Sequence, residues 1–188
     1  MTDMKLSFPN WLVKLTGDIY LTKRPMFLVY KPMLHLVKGD EIRSILYVLE
    51  PGDILLRKWR GYLNAILTGG NYSHAGMYVG NNTVVHAMAD GVIEEDILDF
   101  CRSDSICVLC IRNGDKRKAV RKIKKLVGAP YDYDFLPGNK KYYCTEIVSV
   151  CYDNIFANDY QCILGQSVLT PVAIRNSDQV ECKLEILH

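Results

Sequence analysis

Histidine is scarce in this chain, four among 188 residues, and tryptophan is scarcer at two. No stretch reaches the about 20 consecutive apolar residues that a bilayer span requires. The most apolar early run, MFLVYKPMLHLV, is broken by Lys31, Pro32 and His35. The opening MTDMKLSFPN has neither the basic start, the apolar centre nor the small-residue cleavage site of a secretory leader. A net charge of +2 gives the whole chain too little positive charge to attract nucleic acid. Repeats, low-complexity tracts and linker-like segments are missing as well. The seven cysteines are odd in number and lack the regular spacing of a disulfide scaffold, so free thiols are expected. These absences predict a soluble, cytoplasmic protein without a nucleic-acid partner. With 49% hydrophobic residues, a single domain over residues 1–188 can bury a real core.

What is present is a run of strand signals framed by helical ones. Residues 1–49 mix apolar and basic positions around Pro25 and Pro32 and read as a mostly helical extension. In it, GDEIRSILYVLEPG predicts a helix capped by Asp40 and closed by Pro51-Gly52. DILLRKW alternates as a strand does, and RGYLNAILTGGN predicts a short helix ended by glycine. SHAGMYVG and NTVVHAMA flank Gly80-Asn81-Asn82, which is a hairpin signal. SICVLCIR is a further strand. GDKRKAVRKIKKLVG places Val120, Ile123, Leu126 and Val127 on one helical face, and YYCTEIVSVCYDNI does the same with Cys144, Ile147, Val148 and Cys151. LTPVAIRNSDQVECKLEIL predicts a short helix after Pro171 and a final strand. Strands in the middle with helices around them give an α+β domain.

Two of the four histidines, His74 and His86, fall on the two arms of the predicted hairpin. His74 and Tyr78 are an even number of residues apart and so share a face of the first arm. If the register puts His86 on that face too, the imidazoles can hydrogen-bond, one serving as base and the other holding its tautomer. Of the seven cysteines, Cys144 has the surroundings a nucleophile needs. It begins a helix, where the dipole favours thiolate and first-turn N–H groups can hold an oxyanion.

In chain order, PGDILL, SHAGMYVG, VVHA, PYDYDF and YYCTEIV resemble the permuted papain-like cysteine hydrolases, the YiiX-like branch of the NlpC cell-wall hydrolase superfamily. The first half is also similar to the lecithin:retinol acyltransferase group. The resemblance runs from about Glu50 to the C-terminus. It implies an antiparallel sheet in which the histidine strands come first and the cysteine helix last, with residues 50–188 as the hydrolase core. It implies Cys144 as nucleophile, His74 as general base and His86 at the orienting position, acting through a thioacyl intermediate on an amide of a peptide, cell-wall peptides included. No metal or organic cofactor is implied. Glu146 stands where the YiiX-like pattern also has Glu, and with Tyr143 and Tyr78 it is a candidate substrate contact. Tyr131 and Asp132 match an element that supports the cysteine loop. YCTE departs from the Asn-Cys-Glu-His of the acyltransferases, which weighs against lipid acyl transfer.

Each feature has a competing reading. A cysteine in a helix is often a small buried hydrophobe. Another polar group, or a backbone carbonyl, can orient His74 in place of His86. Asp53 can stabilise its turn, and His35 and His188 lack any partner pattern. Cys101, Cys107 and Cys110 offer no fourth zinc ligand and read as packing. Lys116, Arg117, Lys118, Arg121, Lys122, Lys124 and Lys125 form a basic helix over 115–127. Such a run is usually a solvated face, although it can support weak membrane-surface contact. A lipid esterase or acyltransferase, and a non-catalytic binding module on the same fold, are therefore the alternatives to an amidase acting on a peptide or acyl substrate.

Overall fold

The β-branched and aliphatic runs between residues 54 and 111 build the main sheet, and the last strand of the chain returns to its edge. The computed structural model describes residues 35–59, 70–136, 138–163 and 165–188, with the backbone of 19–21 and 28–30. Two compact units are present, Met1–His35 and Leu36–His188. In the first, β1 (Ile19–Leu21) and β2 (Leu28–Tyr30) pair antiparallel. The second unit opens with helix α1 (Gly39–Val48). The expectation of a mostly helical 1–49 thus meets strand at two places and helix at one, and otherwise lies outside the described residues. The cap of α1 is also not Asp40. Lys38 precedes the helix and donates its N–H to Glu41 Oε2 at 2.8 Å, while Asp40 sits in the first turn and pairs with Arg43. The short helix expected in RGYLNAILTGGN falls on residues 60–69, outside the described ones.

Then follow β3 (Ile54–Lys58), β4 (His74–Gly80), β5 (Thr83–Met88), β6 (Gly91–Asp96), α2 (Ile97–Phe100), β7 (Ser105–Ile111), α3 (Lys116–Lys124), α4 (Cys144–Cys151), β8 (Gln161–Ile163), β9 (Gln166–Val168), α5 (Pro171–Asn176) and β10 (Val180–Ile186). The sheet runs β10-β7-β3-β4-β5-β6, and every neighbouring pair is antiparallel. The sequence reading did not anticipate β6, α2 or the β8–β9 hairpin. GVIEED crowds its acids together and so hides the period of two; its strand state comes from pairing with β5.

Alternation sorts the side chains into two layers. Ile54, Leu56, Ala75, Met77, Val85, Cys107 and Leu109 join Ala119 and Ile123 of α3, Ile147 and Val148 of α4 and Ile174 of α5 in one buried cluster. Leu55, Val84, Ile106 and Val108 join Ile45 of α1 and Ile97 and Phe100 of the α2 segment in the other. Cys101 belongs to the second cluster and Cys107 to the first, so these thiols do not gather; Cys107 Sγ instead lies 3.7 Å from Cys182 Sγ.

Asp53 ties three elements together. Fully buried, it takes Lys116 Nζ of α3 at 2.8 Å and Lys183 Nζ of β10 at 2.9 Å, and its Oδ2 accepts the Glu50 N–H at 2.9 Å. Lys118 and Lys122 pair with Asp153 beyond the end of α4. Three members of the basic run are therefore committed to the fold, while Arg117, Arg121, Lys124 and Lys125 stay exposed. Among the described residues no helix is long and apolar enough to cross a membrane.

Candidate active site

Pairing between β4 and β5 runs from the hairpin turn back to Met77–Val85 and stops there. Just past that point the two strands stay close, and His74 and His86 meet across them. His74 Nε2 and His86 Nδ1 are 2.7 Å apart, with the rings edge-on at 79°. Gly76 makes this approach possible. A Cβ there would lie 2.8 Å from Val84 Cγ1, 3.0 Å from Phe100 Cε2 and 3.2 Å from His86 Cβ. Phe100 packs under both imidazoles, at 6.1 Å from the His74 ring and 5.4 Å from that of His86.

Backbone N–H groups of Ala75, the residue after His74, and of Thr145 and Cys144 itself at the N-terminus of α4 favour the ionised form of the Cys144 thiol. The thiol is partly exposed, unlike Cys101, Cys107 and Cys151. Burial pushes the Cys144 thiol up, against the backbone N–H groups that pull it down. Burial, with the charge of Arg57 and the neighbouring His86, holds His74 well below the ordinary imidazole range. Both shifts favour the uncharged forms, thiol and neutral imidazole. His74 keeps Nδ1 outside its bond to His86.

Two functional residues escaped the sequence reading. Arg57 faces His74 across the β3–β4 ladder and is 1% exposed, its guanidinium lying 4.1 Å from the Trp59 ring and 4.0 Å from that of Phe100. Its Nη1 contacts Glu95 Oε2 at 2.8 Å and the Phe100 carbonyl at 3.2 Å. The same Glu95 oxygen is 3.3 Å from His86 Nε2, off the line of a well-formed hydrogen bond. Burial alone would raise the Glu95 carboxyl, yet His86 and Arg57 hold it below the usual carboxylate range. The available signal was Arg57 itself, a charge inside an otherwise apolar strand that had to have a partner.

The substrate-contact candidates separate. Tyr143 and Glu146 line a cavity of about 440 Å³ on the flank of α4, walled also by Phe135, Val150, Ala157 and Tyr160. Glu146 Oε2 accepts the Tyr143 N–H at 3.4 Å, which caps α4, and burial raises its carboxyl to about 7. Tyr78 is not brought to that cavity; its hydroxyl accepts the Asn82 N–H at the hairpin turn, at 3.3 Å. Asp132 organises the loop before Cys144 by accepting N–H groups from Asp134 at 3.1 Å and Leu136 at 2.8 Å and the Asn139 amide at 3.1 Å. Tyr131 bridges Tyr142 across the same loop. His188 pairs with Glu41 at 2.9 Å.

The crystal structure of the metalloprotein yiiX from Escherichia coli O157:H7 matches with a TM-score of 0.63 over 75% of this chain and 99% of that one, at 19% identity, a likeness of fold. In the present chain, among the described residues, no three His, Cys, Asp or Glu side chains converge on a point that could hold a metal ion. His74 and His86 are turned toward each other and Glu95 instead. No curated protein matches the chain. Residues 48–181 match the family described as permuted papain-like amidase enzyme, YaeF/YiiX, C92, a span that includes His74, His86 and Cys144. The helix that carries the cysteine follows the strands that carry the histidines, and the chain belongs to the YaeF/YiiX, C92 family of permuted papain-like amidases.

Proposed function

We propose that this protein is a thiol amidase or peptidase in which Cys144 is the nucleophile, His74 the general base and His86 the group that orients it. One observation carries the reading: the 2.7 Å imidazole pair joins β4 to β5, and the backbone N–H of Ala75, the residue after His74, favours the ionised form of the Cys144 thiol. Because the surroundings favour the uncharged thiol and imidazole, the proton moves when substrate arrives. The Cys144 S–H proton passes to His74 Nδ1 as sulfur attacks the carbonyl carbon. Negative charge then grows on the carbonyl oxygen, and the first-turn N–H groups of α4 are the donors nearest to it. His74 returns the proton to the leaving amine, leaving a thioacyl enzyme. Water, deprotonated by the same nitrogen, releases the acid. The cavity bounded by Tyr143 and Glu146, the residues one before and two after Cys144 in the chain, receives a part of the substrate away from the reacting bond.

The test is hydrolysis of short peptide amides, γ-glutamyl dipeptides among them, by the full chain and by Cys144→Ala and His74→Ala. Cys144→Ala is expected to be inactive, and His74→Ala slower by about 10²–10⁴-fold. Full activity in Cys144→Ala would overturn Cys144 as the nucleophile, and no hydrolysis of amides or esters by the full chain itself would leave a binding module as the better reading. The exposed stripe of Arg117, Arg121, Lys124 and Lys125 favours the second reading, an acyl-ester hydrolase or acyltransferase at an anionic surface. Ester cleavage that requires anionic vesicles, with peptide amides untouched, would select it.

A further inference from the structure

Taking His74 as the base proposed above, we infer that Glu95, clamped by the buried Arg57, is a positioning residue that fixes which nitrogens of the His86–His74 pair carry protons and so leaves the lone pair of His74 on Nδ1. A neutral imidazole carries one N–H and one lone pair, so a pair of imidazoles sharing a bond can be wired in either of two directions. The 2.7 Å contact between His74 Nε2 and His86 Nδ1 does not choose between them. The outer end does. An ionised carboxylate only accepts. Glu95 Oε2 is 3.3 Å from the fully buried His86 Nε2. Although the oxygen lies off the ideal hydrogen-bond line, a lone pair on that nitrogen would be repelled by its negative charge, whereas an N–H would be attracted to it. The proton therefore sits on His86 Nε2. His86 Nδ1 is then the acceptor, His74 Nε2 donates to it, and the lone pair of His74 falls on Nδ1, the nitrogen that must take the thiol proton. The opposite wiring would put a proton on His74 Nδ1 and remove the base.

Arg57 keeps the carboxylate in this role. Its Nη1 contact of 2.8 Å favours the ionised form, and the Phe100 carbonyl at 3.2 Å and the rings of Trp59 and Phe100 fix the guanidinium. Register leaves the assembly on one face of the sheet. Arg57 stands opposite His74 in the β3–β4 ladder, and Glu95 stands opposite Val84, two residues from His86. Glu94, its exposed neighbour, points to the other face and serves as a control.

The experiment is nitrogen-15 spectroscopy of the histidine rings in the full chain, together with iodoacetamide labelling of Cys144 near pH 7.5. The wild type is expected to show the Nε2–H tautomer at both His74 and His86. Glu95→Gln, whose amide can also donate, is expected to mix the tautomers and slow labelling by about tenfold, toward the His74→Ala rate. Glu94→Gln should change neither. Should Glu95→Gln fail to fold because Arg57 is left without its counter-charge, the double variant Arg57→Met with Glu95→Gln removes both charges and carries the same expectation. An Nδ1–H proton on His86 in the wild type, or tautomers unmoved by either variant, overturns the inference. If the tautomers behave as expected while His74→Ala labels as fast as wild type, the wiring stands and the hydrolase reading fails.

Discussion

At the scale of single residues, the surroundings of the site favour the uncharged forms of His74 and Cys144. Arg57 opposes a charge on His74, burial opposes one on Cys144, and neither is relieved until substrate supplies a new centre of charge. This predicts how the thiol reacts with an alkylating reagent. Labelling of Cys144 should be slow at neutral pH and climb through the alkaline range, because the raised thiol ionises late. A rate already on a plateau below pH 6, the mark of a stored thiolate–imidazolium pair, would be incompatible with that state. Gly76 is the second sensitive position. Gly76→Ala puts a methyl group within 2.8 Å of Val84 Cγ1 and 3.2 Å of His86 Cβ. Overpacking of this kind costs about 1–3 kcal/mol. Urea unfolding should record that loss, and His74→Ala should slow labelling less in the Gly76→Ala background than in the wild type, since the imidazole pair has been pushed apart.

At the scale of elements, α4 is held against the sheet so that its N-terminus meets the start of β4. Ile147 and Val148 are fully buried against the layer that contains Ala75 and Met77. Ile147→Ala should destabilise by about 2–5 kcal/mol, the range for emptying a core site, with urea midpoints as the readout. Asp53 does comparable work by charge, joining the β3 entrance to α3 and β10 through Lys116 and Lys183. Those lysines are 24% and 22% exposed, so water can partly solvate them once the carboxylate is gone. Asp53→Ala is therefore expected at the low end of the cost of breaking a buried pair, about 3 kcal/mol, by the same measurement. The aspartate in PGDILL, read in the sequence as a turn stabiliser, thus proves to be a staple between distant parts of the chain.

At the scale of the whole molecule, stability should depend on pH through the histidine pair. Burial lowers both His74 and His86 in the folded state, whereas an unfolded histidine titrates near about 6.5. As pH falls through that value the unfolded chain binds protons the folded one refuses, so stability declines from pH 7 toward pH 5. Glu146, raised to about 7 by burial, works the opposite way in this window, so the series is read in a Glu146→Gln background, while the ion pairs of Glu50 act only at lower pH. The Glu50 carboxyl, lowered to about 2 by Lys183 and Lys116, contributes stability above an unfolded value of about 4.3 and loses it only below. Urea midpoints at pH 7, 6 and 5 check the sign, and a flat or rising series toward acid would contradict it. The sequence alone settled what depends on local order: the hairpin from its Gly-Asn-Asn turn, α3 and α4 from helical spacing, and Cys144 as the residue that opens a helix. It also put both histidines on facing strands. It could not supply the register that brings His86 to within hydrogen-bond reach of His74, because that depends on the close approach of β4 and β5 at Gly76 and on Phe100 packed against both rings. Nor could it join Arg57 to Glu95, since a carboxylate 38 residues away along the chain becomes a partner only when β3 and β6 lie in one sheet.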